Sequence, residues 1–463
     1  MPSSTKTRRA SIVVDLAFGD SGKGLVTDAL VRELGAHVVV RFNGGGQAGH
    51  NVVTGDGRHH TFSQLGAGSF VPGVRTFLSR HVVVHPTALL VEARILAGKG
   101  VPLPLARLLA SREALVTTPY HQAANRLREL ARAEARHGSC GVGVGETVAD
   151  ALEGPEDAVR LADLLDRSTL RAKLERLRER KREELGPELR ETARLGAAEP
   201  EHRVFDRDEI VDRWIDAVEP LVEAGAIVGD EVLSELLAKG DVVFEGAQGV
   251  LLDEHAGFHP HTTWSRCTFE NALALLEEAR FEGETLRLGV LRTYATRHGR
   301  GPMPTEDPRL VPLLPEPHNT HGPWQEAFRV GAFDAVLARY ALAVVGGVDG
   351  LALTHLDALE RLVPYRVCTA YRGAAPIDAA LARTEALDPS RVVGLVPPVA
   401  PDLERQQALT RLLERVEPEY EVLLGAADNA RARGTLLEWI ESLLGSRIRT
   451  TSSGPTAGHV VRR

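Results

Sequence analysis

The stretch Ser11-Ile12-Val13-Val14-Asp15-Leu16-Ala17-Phe18-Gly19-Asp20-Ser21-Gly22-Lys23-Gly24 decides the fold. Ser11 to Ala17 has the apolar character and length of a buried strand, and Leu25 to Leu34 carries apolar residues at helical spacing. A strand feeding a glycine-rich turn that opens a helix is a place to hold phosphate. Backbone N–H groups converge there and the helix dipole favours negative charge. Lys23 adds a full positive charge. Asp20 is an unusual carboxylate for such a loop, and magnesium binding or proton abstraction are the chemistries open to it. The loop is not the eight-residue Gly-x-x-x-x-Gly-Lys-Ser/Thr pattern, since only two residues separate Gly19 from Gly22. Alone, it also fits a tight strand-to-helix turn with a solvated lysine.

The chain has 463 residues, enough for one large α/β unit with insertions. Its 55 basic and 63 acidic residues leave a net charge of −8, which argues against an extended nucleic-acid surface. Cys140, Cys267 and Cys368 lie far apart, so neither a disulfide framework nor a paired-cysteine metal site is expected. The cysteine usage points to a reducing cytoplasm. No apolar run approaches the roughly 20 residues that span a bilayer, and no membrane partner is expected. Met1 to Ala10 is polar and basic and is expected to be a flexible tail, with 11–463 forming a single domain.

Further strands are expected at His37–Phe42, Phe77–Val84, Asp241–Phe244, Leu286–Leu291 and Gly350–Thr354. Many end at a glycine-rich or polar loop, as parallel strands do at a functional edge. The segment 168–240 reads as a helical insertion whose dense alternating charge forms a solvated face. The fold class expected is α/β: a large central, mainly parallel sheet flanked by helices, with this helical insertion.

Five more segments carry chemistry. Asn43 to His50 follows a strand, and its three consecutive glycines allow backbone to approach a ligand, with His50 at the end as a general acid or phosphate partner. Phe244-Glu245-Gly246-Ala247-Gln248-Gly249 presents an amide at Gln248. The histidines that follow, His255, His259 and His261, do not have zinc-site spacing. Thr293 to Glu306 offers Arg297 and Arg300 as partners for phosphates or carboxylates. Thr354-His355-Leu356-Asp357 places a carboxylate at a strand end, where it can accept hydrogen bonds from guanine N1–H and the exocyclic amine. Ser452-Ser453-Gly454-Pro455 can close over the same base.

Taken in order, these segments resemble the adenylosuccinate synthetase family over nearly the whole chain. The family's Gly-Asp-Glu-Gly-Lys-Gly stands here as Gly19 to Gly24, and its Gly-Gly-x-x-Ala-Gly-His as Gly44 to His50. Phe-Glu-Gly-Ala-Gln-Gly is intact at Phe244 to Gly249. Thr-Arg-x-Gly-x-Gly-Pro-x-Pro-Thr-Glu is intact at Thr296 to Glu306. Thr-Lys-Leu-Asp stands as Thr354 to Asp357. The family joins IMP and aspartate using GTP and Mg²⁺, which implies the same expectations here, with a homodimer as the assembly.

The resemblance implies Asp20, Lys23, His50 and Gln248 as catalytic residues. Asp20 would remove the base N1 proton, His50 would assist phosphate transfer, and Gln248 would orient the carbonyl. GTP would be held by Gly19, Ser21, Gly22, Lys23, Gly24, Gly49, His50, Arg329, His355, Asp357, Ser453 and Gly454. The acceptor would meet Gln47, Ser139, Cys140, Gln248, Thr263 and Arg297, and Mg²⁺ would meet Asp20 and Gly49. The chain also departs from the family. The arginine cluster for aspartate is reduced to Arg329 in Trp324-Gln325-Glu326-Ala327-Phe328-Arg329. A Thr-Thr-Gly is replaced by Ser139-Cys140-Gly141, an Asn by Gln47, a Glu by Ser21, and a basic phosphate-binding segment by Ala151 to Asp157. The expectation is therefore a GTP-dependent carbon–nitrogen ligase whose acceptor and amine have changed. A genuine adenylosuccinate synthetase and a non-catalytic GTP-binding protein are the alternatives.

Overall fold

The structure is a computed structural model and describes residues 7–316, 324, 327–374, 376–423 and 430–463. Its frame is a ten-stranded sheet. From one edge the strands run Val460–Arg462, Ile448–Ser452, Gly350–Thr354, Glu284–Arg292, β1 (Arg9–Asp15), Val242–Glu245, β2 (Val38–Arg41), Arg75–Leu78, Leu108–Ser111 and Ile227–Val228. All neighbours are parallel except the Ile448–Ser452 and Val460–Arg462 pair. The central strands are buried on both faces, which is why they read as continuous apolar runs rather than alternating ones.

A second sheet holds Phe333–Asp334, Tyr365–Arg372, Asp388–Leu395, Ala382–Glu385 and Glu417–Leu423. It shares an apolar core with the central sheet through the helix Ala335–Val344. No helix among the described residues is long and apolar enough to cross a membrane.

Several boundaries differ from expectation: the strands expected at His37–Phe42, Asp241–Phe244 and Leu286–Leu291 run Val38–Arg41, Val242–Glu245 and Glu284–Arg292. Arg9 and Ala10 belong to β1 and not to a tail, because the Arg9 N–H donates to Asp241 and its guanidinium pairs with Glu284. The strand expected at Phe77–Val84 is Arg75–Leu78, and the chain turns where Val82 N–H donates to Ser79 O. The insertion region contains the helices Arg167–Glu184, Gly186–Thr192, Glu199–Asp206, Glu209–Glu223 and Glu231–Lys239, plus the edge strand Ile227–Val228. Its charged helix is not wholly solvated. Lys181 is buried among Glu146, Asp150 and Glu184, because the helix Val144–Glu153 presents carboxylates to it.

Candidate functional site

Strand register places polar residues at one level of the sheet. Arg41 pairs with Glu245, and Thr354 with Arg292, at the carboxyl ends of their strands, while Asp15 ends β1 between them. The Asp15 carboxylate is the anchor of the first loop. It accepts hydrogen bonds from Ala17 N and Ser21 N at 2.9 Å each, from Ser21 Oγ at 2.9 Å and from Lys23 Nζ at 3.0 Å. Lys23 is 3 % exposed and Asp15 1 %, so this ion pair lies within the protein. Gly22, at φ 95°, opens the helix α1 (Lys23–Leu34), and Thr354 Oγ1 donates to Ser21 O at 2.7 Å.

Two close approaches join the loops, and each needs glycine. A Cβ on Gly24 would lie 2.9 Å from His50 Cβ, and one on Gly44 would lie 2.8 Å from Gln248 Oε1. Gly19 in turn packs on the Gln248 backbone. The structure thus brings Asp20, Lys23, His50 and Gln248 to one edge. Three of the six described non-glycine residues with positive φ are nominated site residues: Asp20 at 59°, Gln248 at 53° and His355 at 59°. Left-handed backbone at such residues is tolerated where the surroundings over-determine it, and functional sites are where it clusters.

His50 Nδ1 lies 2.7 Å from Glu245 Oε1, while Glu245 Oε2 accepts from Ala67 N at 3.0 Å and Arg41 Nε stands 4.0 Å away. Burial pushes His50 down to about 4, against the opposing pull of Glu245. His50 is therefore neutral at pH 7, with its Nδ1–H donated to the carboxylate and Nε2 left for a ligand. A sign follows for stability. Between pH 6.5 and 4 the unfolded chain binds a proton at this position that the folded chain refuses, so stability falls as pH falls through that window. The contribution at stake is on the order of 3 kcal/mol. Urea unfolding midpoints compared at pH 7 and pH 4.5 should show this loss in the wild type and a smaller one in His50→Gln. Equal losses would remove His50 as the cause.

Both carboxamide atoms of Gln248 are buried without a hydrogen-bond partner among the described residues; Gln47 Oε1 is in the same state. The loop carrying Gln248 is held by Asn43, which donates to Ala247 O at 3.1 Å and accepts from Ala247 N at 2.7 Å. The Asp20 carbonyl accepts from Arg292 Nη1 at 3.0 Å, and its Oδ2 lies 3.4 Å from His298 Nε2. Burial raises the Asp20 pKa, opposed by His298 and Lys23. Arg292 also donates to Tyr294 Oη and Glu316.

On the neighbouring strand ends, His355 Nδ1 meets Thr354 Oγ1 at 2.8 Å. Asp357 is half-exposed and stands 3.9 Å from Arg361. Ser453 N donates to His459 O at 3.3 Å, and Gly454 O accepts from Ser452 Oγ at 2.9 Å. Gly49 is exposed beside His50.

Other nominated residues have different tasks. Ser21 spends its hydroxyl on Asp15. Arg297 is buried over the Phe18 ring and donates to the carbonyls of Arg300 and Pro302 at 2.9 Å each and of His261 at 3.3 Å. Arg329 donates to Glu306 and to the carbonyls of Gly299 and Gly301, each at 2.9 Å. Both guanidiniums hold loops together in this structure. Ser139 Oγ accepts from Asn125 at 3.0 Å, burial raises the Cys140 thiol, and Thr263 N donates to Leu252 O at 2.8 Å. Gln325 and Glu326 lie outside the described residues. Trp324 packs on Gly141 and under the Arg126 guanidinium at 5.4 Å.

Sequence reasoning left out Asp15, Arg41, Glu245 and His298, and offered Arg292 only as an arginine that a shifted loop could bring to the site. A charged residue ending an apolar strand was the available signal for the first three and for Arg292. His298 carried none, being one residue of a polar loop. Among the described residues no group of three or more His, Cys, Asp or Glu is arranged to hold a metal ion. A nucleotide-borne Mg²⁺ takes only one or two protein oxygens, and the hard carboxylate oxygens of Asp20 fit that role.

The fold is α/β, and these loops lie at the carboxyl ends of its parallel strands, where open α/β sheets place their ligand sites. Comparison with known proteins narrows the class. The family model for adenylosuccinate synthetase matches residues 12–461. Adenylosuccinate synthetase of Ectopseudomonas mendocina is 32% identical over 461 residues, 97% of each chain. That of Alkalilimnicola ehrlichii is 35% identical over 363 residues, 78% of this chain and 80% of the relative. Among solved structures, fully ligated adenylosuccinate synthetase from Plasmodium falciparum matches with a TM-score of 0.76, covering 98% of this chain and 99% of that one at 20% identity. Cyanophage S-2L succinoaminodeoxyadenylate synthetase, bound to dGMP and dATP as an energy donor, matches with a TM-score of 0.58, covering 99% and 96% at 18% identity. The two structural likenesses bear on the fold alone.

The chain belongs to the adenylosuccinate synthetase family, whose members are ligases that form carbon–nitrogen bonds.

Proposed function

We propose that this protein is a GTP-dependent carbon–nitrogen ligase that phosphorylates an amide-type carbonyl oxygen and lets an amine displace the phosphate. The observation that carries the reading is the meeting of Asp20, Lys23, His50 and the unpartnered Gln248 carboxamide at one sheet edge. Asp20 accepts the N–H proton of the acceptor, so that the carbonyl oxygen gains the electron density to attack the γ-phosphorus. The β–γ bridging bond breaks and GDP leaves. The amine nitrogen then bonds to the carbon and gives up a proton to solvent, and inorganic phosphate departs with the former carbonyl oxygen. Gln248 orients that carbonyl, and Lys23 with the loop N–H groups stabilises the transferring charge. Glu245 holds His50 and is placed to stabilise its imidazolium when a polyanion binds. Magnesium, bound with the nucleotide through Asp20 and Gly49, would supply further charge neutralisation.

The acceptor and amine are read as changed from the family's IMP and aspartate. Arg297 and Arg329, the arginines offered for phosphate and carboxylate, are committed to loop carbonyls and Glu306. Bidentate recognition of a dicarboxylate needs guanidinium forks free to receive it. A second reading, genuine adenylosuccinate synthetase, is favoured by the 97% coverage of the Ectopseudomonas mendocina enzyme. Phosphate release from GTP measured with IMP plus L-aspartate, and then with other purine nucleotides and amines, separates the two. Turnover with the first pair at the family's ordinary level would sink the changed-substrate part. No release with any pair, together with tight GTP binding, would leave the non-catalytic alternative.

Asp357 selects the base in this reading. Asp357→Asn should weaken GTP roughly 10- to 100-fold, as expected for loss of a charge-assisted hydrogen bond. Xanthosine triphosphate should regain what GTP loses, because an asparagine N–H matches its second carbonyl. Equal losses for both nucleotides in calorimetry would exclude direct base readout by Asp357.

A further inference from the structure

We propose that His298 is a positioning residue that holds one carboxylate oxygen of Asp20. The inference rests on the reading of Asp20 as the group that takes the acceptor's proton. His298 ends the strand Ala295–His298, which pairs antiparallel with Phe328–Gly331, and His298 and Phe328 are direct partners. The two rings meet edge to face with centroids 4.7 Å apart. That contact sets the ring beside Asp20, with Nε2 3.4 Å from Oδ2. The other ring nitrogen, Nδ1, is buried with no hydrogen-bond partner among the described residues, so no competing bond turns the ring.

Asp20 needs such a clamp. Its backbone is pinned by Arg292 and its φ is 59°, but no protein N–H or O–H group among the described residues makes a hydrogen bond to its carboxyl oxygens. Until a nucleotide-borne Mg²⁺ arrives, an unheld carboxyl rotates, and a proton acceptor must point one oxygen at its substrate to be effective. With Oδ2 facing His298, Oδ1 is left for the acceptor's N–H, and the remaining lone pairs of the carboxylate for a nucleotide-borne Mg²⁺. The 3.4 Å separation is longer than a hydrogen bond, and catalytic contacts of this kind tighten when substrate closes the site. His298 occupies an unspecified position of the Thr-Arg-x-Gly motif, so the clamp belongs to this chain and not to the motif.

Two measurements on the full-length protein test the clamp. The first is phosphate release from Mg·GTP by wild type, His298→Ala and His298→Gln, using the acceptor–amine pair with the highest turnover. His298→Ala should lower kcat about 10- to 100-fold with KM for GTP unchanged, as expected for a misplaced reacting group. His298→Gln, whose amide N–H can replace Nε2–H, should recover most of it. Wild-type kcat in His298→Ala, or a glutamine variant no better than the alanine one, overturns the proposal. The second needs no substrate. In ¹⁵N-histidine-labelled protein, the His298 ring signals, assigned by their absence in His298→Gln, should shift in Asp20→Asn. Unmoved signals overturn the proposal. If no pair turns over, or Asp20→Asn remains active, the functional reading fails, and the ring signals alone decide the contact.

Discussion

Asp20→Asn is expected to cut phosphate release from GTP about 10²- to 10⁴-fold while leaving the protein folded. The substitution changes one atom of the side chain and removes its ability to accept a proton. The turn itself should survive, since asparagine tolerates the left-handed backbone better than most residues. Burial already disfavours the charged form of Asp20. A neutral amide there should leave the thermal midpoint at or above the wild-type value. GTP binding should change little in the absence of metal, because Lys23 and the loop N–H groups remain. Single-turnover phosphate release together with calorimetric GTP binding checks both halves. Near-wild-type turnover in Asp20→Asn would mean that another group takes the proton. A collapsed thermal midpoint would mean that the residue is structural.

Lys23→Ala is expected to cost about 3–5 kcal/mol of stability, as well as weakening GTP. The ammonium and the Asp15 carboxylate are both almost fully enclosed and lie 3.0 Å apart. Removing one leaves the other charged and buried, which is worse than having neither. Asp15 retains donors from Ala17 and Ser21, which places the loss toward the lower end of the range. The control is the double variant Asp15→Asn with Lys23→Met. It should recover much of the stability lost in Lys23→Ala without recovering GTP affinity. Chemical denaturation of the three proteins, alongside calorimetric GTP titration, measures both effects. If Lys23→Ala unfolds at the wild-type midpoint, the pair is not a structural element, and the loop is held by its hydroxyl and N–H contacts alone.

Much of this architecture was legible in the chain. Gly350–Thr354 reads as a strand to the residue, because it is apolar and bounded by glycine on one side and a polar loop on the other. The loops at Gly19–Gly24, Asn43–His50 and Phe244–Gly249 are likewise visible, since glycines at a strand end have few other uses. The second sheet was not legible. Glu417–Leu423 has no buried residue and carries three glutamates, and Tyr365–Arg372, though largely buried, interleaves arginine and threonine with its apolar residues, so neither offers an apolar run. The fate of Arg297 and Arg329 was also hidden. Arg297 lies in a glycine-rich segment that suits a ligand site and Arg329 on the strand paired with it, yet both donate to carbonyls of that segment, a matter of how it curls.

The amino-acid order alone determined which segments could turn sharply, which had to be buried, and which side chains had the chemistry for phosphoryl transfer. Those are properties of neighbouring residues. Only the tertiary structure decided who meets whom. Glu245 backs His50 from 195 positions away, and Arg292 grips the Asp20 carbonyl from 272. These pairings exist because strand order and register set the ends of distant strands at one level of a twisted sheet, and backbone hydrogen bonds across that sheet carry no trace in the local sequence.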